Sequence, residues 1–249
     1  MLRAVLFDFG GVIAESCWDL RAIATIIGGV LRENRIPVNA ERLERVFVDV
    51  MEEALSRVMR TLREERMSEL ISRSLRIVGV TPRHDLIGEI MDRISDAPFC
   101  KIREDAPVVL RSLRELRLRL GIVSNSPINF LDRVLGRAGI LGMFDTIVVS
   151  CDVGYRKPHP KIYEIALSRL GVAASETIFV GDVPEIDIAG ARSLGMITVL
   201  IEEPEPYMRG RTIPGPKAEP DYVIRTLSEL IEIVTRLTRS RSPQTKPPC

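Results

Sequence analysis

An excess of either charge sign is missing from this 249-residue chain: 35 Lys and Arg stand against 34 Asp and Glu, a net charge of +1. No long single-sign block occurs, so no global electrostatic drive points to nucleic acid or to an anionic membrane surface. Long apolar runs are missing too. No stretch approaches the roughly 20 residues of a spanning helix, and residues 1–13 show no signal-peptide pattern, so a cytoplasmic protein is expected. Cysteine is sparse. Cys17, Cys100, Cys151 and Cys249 form no CxxC pair and no metal-type spacing, which argues against a zinc site. Lysine is scarce as well, 5 against 30 Arg, and this carries no functional implication. No internal repeat is evident. What is present is ordinary for a soluble globular protein: 45% apolar and 28% charged residues, enough chain for one large domain and a smaller insert, and small molecules as the expected partners.

The chain is organised around Ala4-Val5-Leu6-Phe7-Asp8-Phe9-Gly10-Gly11-Val12-Ile13. A β-prone apolar run ends in one carboxylate, Asp8, followed by two glycines that permit a tight turn. Open α/β sheets bind ligands at such strand ends, although an aspartate also terminates strands and caps turns. From Trp18 to about Ile94 the periodicity becomes helical, with Leu20, Ile23, Ile27 and Leu31 as the first apolar stripe, and breaks at 35–39 and 79–82. Between Cys17 and Phe99, 13 Arg face 14 acidic residues, so these helices present solvated faces rather than a polyanion site.

Beyond Ala106 helices and strands alternate. A helix over Val108 to Arg119 precedes the strand Leu120–Val123, and further strands are expected at Thr146–Ser150, Thr177–Val180 and Ile197–Ile201, with helices between them. This alternation predicts a doubly wound parallel α/β sheet with the helical segment inserted after the first strand. Residues 202–220 read as a surface loop, Leu227 to Leu237 as a last helix, and 239–249 as a disordered tail. Three strand ends carry chemistry. Ser124-Asn125 offers a hydroxyl and amides to an anion, or simply an N-cap. Lys157 stands before Pro158 and reads equally as an exposed loop charge. Asp182 and Asp187, five residues apart around a turn, suit a hard cation, or Asp187 caps the next helix.

Taken in order, the four stretches resemble the haloacid dehalogenase superfamily of hydrolases, most of which are phosphatases. The first stretch corresponds to its aspartate motif, Ser124-Asn125 to the second, Lys157-Pro158 to the third, and Gly181 to Asp187 to the acidic fourth. The resemblance covers roughly residues 1–235. It implies a Rossmann-like core (1–16 and 101–238) with an α-helical cap (17–100). It further implies a phosphomonoester hydrolase that forms an aspartyl-phosphate on Asp8 and uses Mg²⁺. On that reading Asp8, the carbonyl of Gly10, Asp182 and Asp187 hold the metal. Phe9, Gly10, Ser124, Asn125 and Lys157 receive the phosphoryl oxygens, and Lys157 also keeps Asp8 ionised.

One position departs from the family pattern. The second aspartate usual two residues after the nucleophile is Gly10 here, and Val12 stands for a common threonine. The backbone carbonyl survives at position 10, but the proton carrier does not. Glu15, Glu185, a cap residue or a substrate phosphate are the substitutes on offer. Two alternatives follow from the gap: a carbon-halogen hydrolase, disfavoured because Asp182 is retained, and a phosphate-binding protein that no longer turns over. The cap's outgoing and returning linkers must pass close together, which predicts Cys17 near Cys100.

Overall fold

The computed structural model describes residues 1–15, 19–202 and 217–239. Its centre is a six-stranded sheet, all parallel, in the order β3-β2-β1-β4-β5-β6. The strands are β1 (Ala4–Phe7), β2 (Arg119–Ser124), β3 (Thr146–Val149), β4 (Thr177–Gly181), β5 (Ile197–Ile201) and β6 (Tyr222–Ile224). All four residues of β1 are buried, as a central strand covered on both faces requires. Its side chains alternate between two cores: Val5 and Phe7 join one, Ala4 and Leu6 the other. The first core is closed by α5 (Ala106–Glu115), α6 (Leu131–Arg137) and α10 (Leu230–Arg239), the second by α8 (Pro160–Leu170) and α9 (Ala189–Ser193). The expected doubly wound α/β architecture is present.

Between β1 and β2 lie α1 (Leu20–Glu33), α2 (Ala40–Thr61), α3 (Met67–Ile77) and α4 (His84–Asp96). Their apolar stripes meet in a separate core containing Ile23, Ile27, Phe47, Leu75 and Ile90. Asp19 starts α1 by accepting from the N–H groups of Arg21 and Ala22, and Asn39 starts α2 through the N–H of Arg42. α2 ends at Leu62, which adopts the left-handed conformation at φ 53°. Leu62 is therefore the cap residue of α2. No helix among the described residues is long and apolar enough to cross a membrane.

The two connections to the insert run side by side. Ala14 bridges Ile102 in antiparallel fashion, the N–H of Glu15 donates to the Lys101 carbonyl (2.9 Å), and that of Arg103 donates to the Ile13 carbonyl (3.0 Å). Cys100 follows on this seam and is disulfide-bonded. Cys17, its expected neighbour, lies outside the described residues, as do most of the 202–220 loop and residues 240–249 of the expected tail.

Element ends differ from the sequence pattern at definite places. α5 spans Ala106–Glu115 and stops because Arg117 takes φ 60°, so Arg119 already belongs to β2. β3 ends at Val149, and Ser150–Val153 forms a helical turn, α7, closed by Gly154 at φ 77°. β6 falls between the expected loop, 202–220, and the expected last helix, Leu227 to Leu237. It has three residues and is tied to β5 through Asp221, whose carboxylate accepts from the N–H and hydroxyl of Thr198.

Candidate active site

Parallel register brings the chemistry to one edge. Phe7 lies opposite Ile122 and Val180, so Asp8, Ser124 and Asp182 emerge together at the C-terminal ends of β1, β2 and β4. All eight residues singled out in the sequence, Asp8, Phe9, Gly10, Ser124, Asn125, Lys157, Asp182 and Asp187, line one pocket there. Lys157 is not an exposed loop charge: its side chain is 1% accessible, and Nζ lies 2.8 Å from Asp8 Oδ1 and 2.8 Å from Asp187 Oδ1. Asn125 accounts for that placement. Its side chain accepts from the Lys157 N–H (2.8 Å) and donates to the Lys157 carbonyl (3.0 Å), fixing the backbone from which the lysine reaches inward. Asp187 is fully buried. Its second oxygen accepts from the N–H groups of Asp182 (3.2 Å) and Val183 (3.1 Å), so it caps its own turn while facing the lysine.

Asp8, Asp182 and Asp187 each offer an oxygen within 4.8 Å of the others. Two buried carboxylates and the partly buried Asp8 around one ammonium leave an excess of negative charge with little water to screen it. Burial is the chief influence pushing the Asp8 carboxyl up to about 6; Lys157 pulls against it, and Asp187 adds to the rise. Burial, then Asp187 and Asp8, raise Asp182 well above the ordinary range. Burial alone would lower Lys157, but Asp187 and Asp8 outweigh it and hold the ammonium above its usual value. An all-oxygen cluster with surplus charge fits a hard divalent cation.

The glycines on each side are shaped to these acids. Gly11, at φ +77°, passes so close to Asp182 that a side chain there would overlap its carboxylate, and a Cβ at Gly181 would overlap the Cβ of Asp187. Gly181→Ala is expected to push Asp187 off its turn, costing about 1–3 kcal/mol and weakening divalent binding. Thermal denaturation with and without Mg²⁺ would show a lower Tm and a smaller metal-induced rise; an unchanged Tm would mean that the close contact has no consequence.

The helical insert walls the pocket from above, with Met51, Ala54, Leu55 and Val58 from α2 and Leu70 from α3. Sequence reasoning missed the contact that seats it. In the turn after α2, the Leu62 carbonyl accepts from the Arg156 N–H (3.0 Å), Arg63 bridges Tyr155 and lays its guanidinium over that ring, and the Glu64 N–H donates to Gly154. The Glu64 carboxylate, 2% accessible, pairs with Arg156 Nη1 at 2.7 Å and accepts the Ser150 hydroxyl. Arg156 stands directly before Lys157, which was a signal of sorts. Glu64 had none.

A sequence model of haloacid dehalogenase-like hydrolases matches residues 2–195. The chain belongs to the haloacid dehalogenase-like hydrolase family. A glyceraldehyde 3-phosphate phosphatase of Methanopyrus kandleri is 30% identical over 96% of this chain and 100% of its own. The crystal structure of a phosphatase of this family from Thermococcus onnurineus superposes with a TM-score of 0.61 at 25% identity, covering 94% and 98% of the two chains. A 2-haloacid dehalogenase from Pseudomonas syringae shares the fold, with a TM-score of 0.70 at 24% identity over 95% and 100% of the chains. The protein is a phosphatase-like hydrolase of the family.

Against that family pattern, the structure narrows the substitutes for the acid missing at Gly10. Glu15 pairs with Lys101 at 3.3 Å, Glu185 lies 3.7 Å from Lys217, and neither lines the pocket. The insert's carboxylates that do are Glu52, Glu64 and Glu65.

Proposed function

We propose that the protein is a Mg²⁺-dependent, cytoplasmic phosphomonoester hydrolase that works through an aspartyl-phosphate on Asp8. The observation that carries this reading is the Asp8 carboxylate at a strand end, 2.8 Å from a buried lysine and within reach of two further acids. Asp8 attacks phosphorus, the ester oxygen leaves with its electron pair, and water then displaces phosphate from the aspartyl-phosphate, returning the carboxylate. Lys157 holds Asp8 ionised and, with the Ser124 hydroxyl and the amides of Phe9, Gly10 and Asn125, meets the charge on the transferring oxygens. Asp8, the Gly10 carbonyl, Asp182 and Asp187 would hold Mg²⁺, which when bound screens the approach of an anionic phosphoryl group to an anionic nucleophile. The helices between residues 17 and 100 serve as a lid over the core of 1–16 and 101–238, excluding water from the phosphoryl site.

Phosphate release from a panel of small phosphomonoesters tests the reading, with glyceraldehyde 3-phosphate, the substrate in the Methanopyrus relative's name, as the first compound. Release of halide from 2-haloacids without phosphate release would instead support dehalogenase chemistry; the retained Asp182 argues against it. Binding of phosphate with no turnover of any ester would indicate a protein that kept the site and lost catalysis.

The carboxylates set a pH signature that does not depend on turnover. Asp8 and Asp182 titrate higher folded than unfolded, so between the ordinary carboxylate range and about 6 for Asp8 the folded protein binds more protons, and stability falls as pH rises. A divalent cation relieves this where the acids are ionised. Mg²⁺ is therefore expected to raise Tm more at pH 7.5 than at pH 5, by roughly 2–4 °C per kcal/mol regained, and Asp182→Asn to shrink the effect and weaken turnover. An equal Mg²⁺ effect at both pH values, or full activity in excess chelator, would show that the cation does not meet these acids.

A further inference from the structure

The phosphoryl end of the pocket is rich in charge partners; at the opposite end the described residues offer no cation that is not already ion-paired. From the insert, the pocket receives aliphatic carbon and the carboxylates Glu52, Glu64 and Glu65. Among the described lining residues the cations are Lys157 and Arg156. Lys157 is committed to Asp8 and Asp187. Arg156 is ion-paired with Glu64: its Nη1 lies 2.9 and 2.7 Å from the two carboxylate oxygens, its backbone N–H is pinned to the Leu62 carbonyl, and its Nε is buried without a hydrogen-bond partner. Glu65 is matched by Arg57 and Arg73, which stand outside the lining.

A second anionic group on the substrate would thus be stripped of water beside carbon and carboxylates, and both cations among the described lining residues are already ion-paired. Resting on the phosphatase reading, we propose that this pocket selects phosphomonoesters whose organic part is uncharged and rejects those carrying a carboxylate or second phosphate, with Glu64 enforcing the choice by neutralising Arg156. Specificity of this kind is negative: unpaired and like charge oppose the wrong ligand more than any contact favours the right one. Small aldehyde, polyol and alkyl phosphates meet the condition.

Matched pairs test it, because glyceraldehyde 3-phosphate and 3-phosphoglycerate differ only in an aldehyde against a carboxylate. With Mg²⁺, the full-length protein is expected to show kcat/KM on the order of 100-fold higher for the aldehyde. Glu64→Gln, which frees Arg156, should pull that ratio toward unity through a gain on the carboxylate ester. Leu55→Lys, which adds a cation to the wall without disturbing the Glu64 pair, should do the same and decides the matter if Glu64→Gln fails to fold. Equal or better turnover of 3-phosphoglycerate by the unaltered protein would overturn the pocket inference while leaving the phosphatase reading intact. A ratio indifferent to both variants would overturn it too. Turnover of neither ester nor of any other phosphomonoester would remove the phosphatase reading, and the inference with it.

Discussion

Asp8→Asn is expected to abolish phosphate release from every phosphomonoester, a loss of at least about 10⁴-fold. The amide keeps the shape of the carboxylate and can no longer attack phosphorus. Folding should not suffer in proportion. Lys157 retains Asp187 at 2.8 Å, and the substitution removes a charge whose burial is unfavourable enough to push its carboxyl up to about 6. A Tm no lower than that of the unaltered protein, together with lost turnover, would separate the chemical role from a structural one. Activity within tenfold of the parent would eliminate Asp8 as nucleophile.

Gly10→Asp is expected to act in the opposite direction. Lacking an acid at this position, the protein should depend steeply on its leaving group, turning over aryl and acyl phosphates or sugar 1-phosphates better than simple alkyl phosphates. A general acid is worth roughly 10²–10⁴-fold, so restoring one should raise alkyl-ester turnover within that range and flatten the dependence. Space is available, since a Cβ at Gly10 meets no atom within 4 Å and the glycine's φ is not positive. Single-turnover phosphorylation and dephosphorylation should be followed separately, because the hydrolytic step also wants a base and can mask the first step in kcat. A parent protein with no leaving-group dependence, and a variant changed in neither step, would mean that another group already supplies the proton. Glu52, Glu64 and Glu65 would then be the first to replace.

The fold was legible where local pattern and global position agree. Ala4–Phe7 is apolar throughout because both faces of a central parallel strand are covered, and the same physics marks Thr177–Val180. Where tertiary contact overrides local pattern, the sequence was silent. By local pattern Lys157, between an arginine and a proline, reads as a surface cation, and it is the resemblance that puts it in the site; it is buried with Asn125, 32 residues earlier, holding its backbone. The Glu64–Arg156 pair spans 92 positions and follows a left-handed residue, Leu62, that no glycine announces. β6 has too few residues for alternation to show. The acids themselves were visible because a strand end concentrates them within a few residues, whereas the insert's polar contacts are scattered along a helix and the turn after it.

The position of β1 in the sheet has a consequence for the order in which the molecule is built. The strand carrying Asp8 is made before the other strands of its sheet, yet its neighbours are β2, beginning at Arg119, and β4, ending at Gly181. Its pairings are among the most distant in sequence, and closing such loops is slow relative to local helix assembly. The four helices between them share a core that can gather first. Asp8 is thus translated early and housed late. A nascent chain that ends before the turn bearing Asp187 has Asp8 but not the acid and lysine pairing that surrounds it in the folded protein.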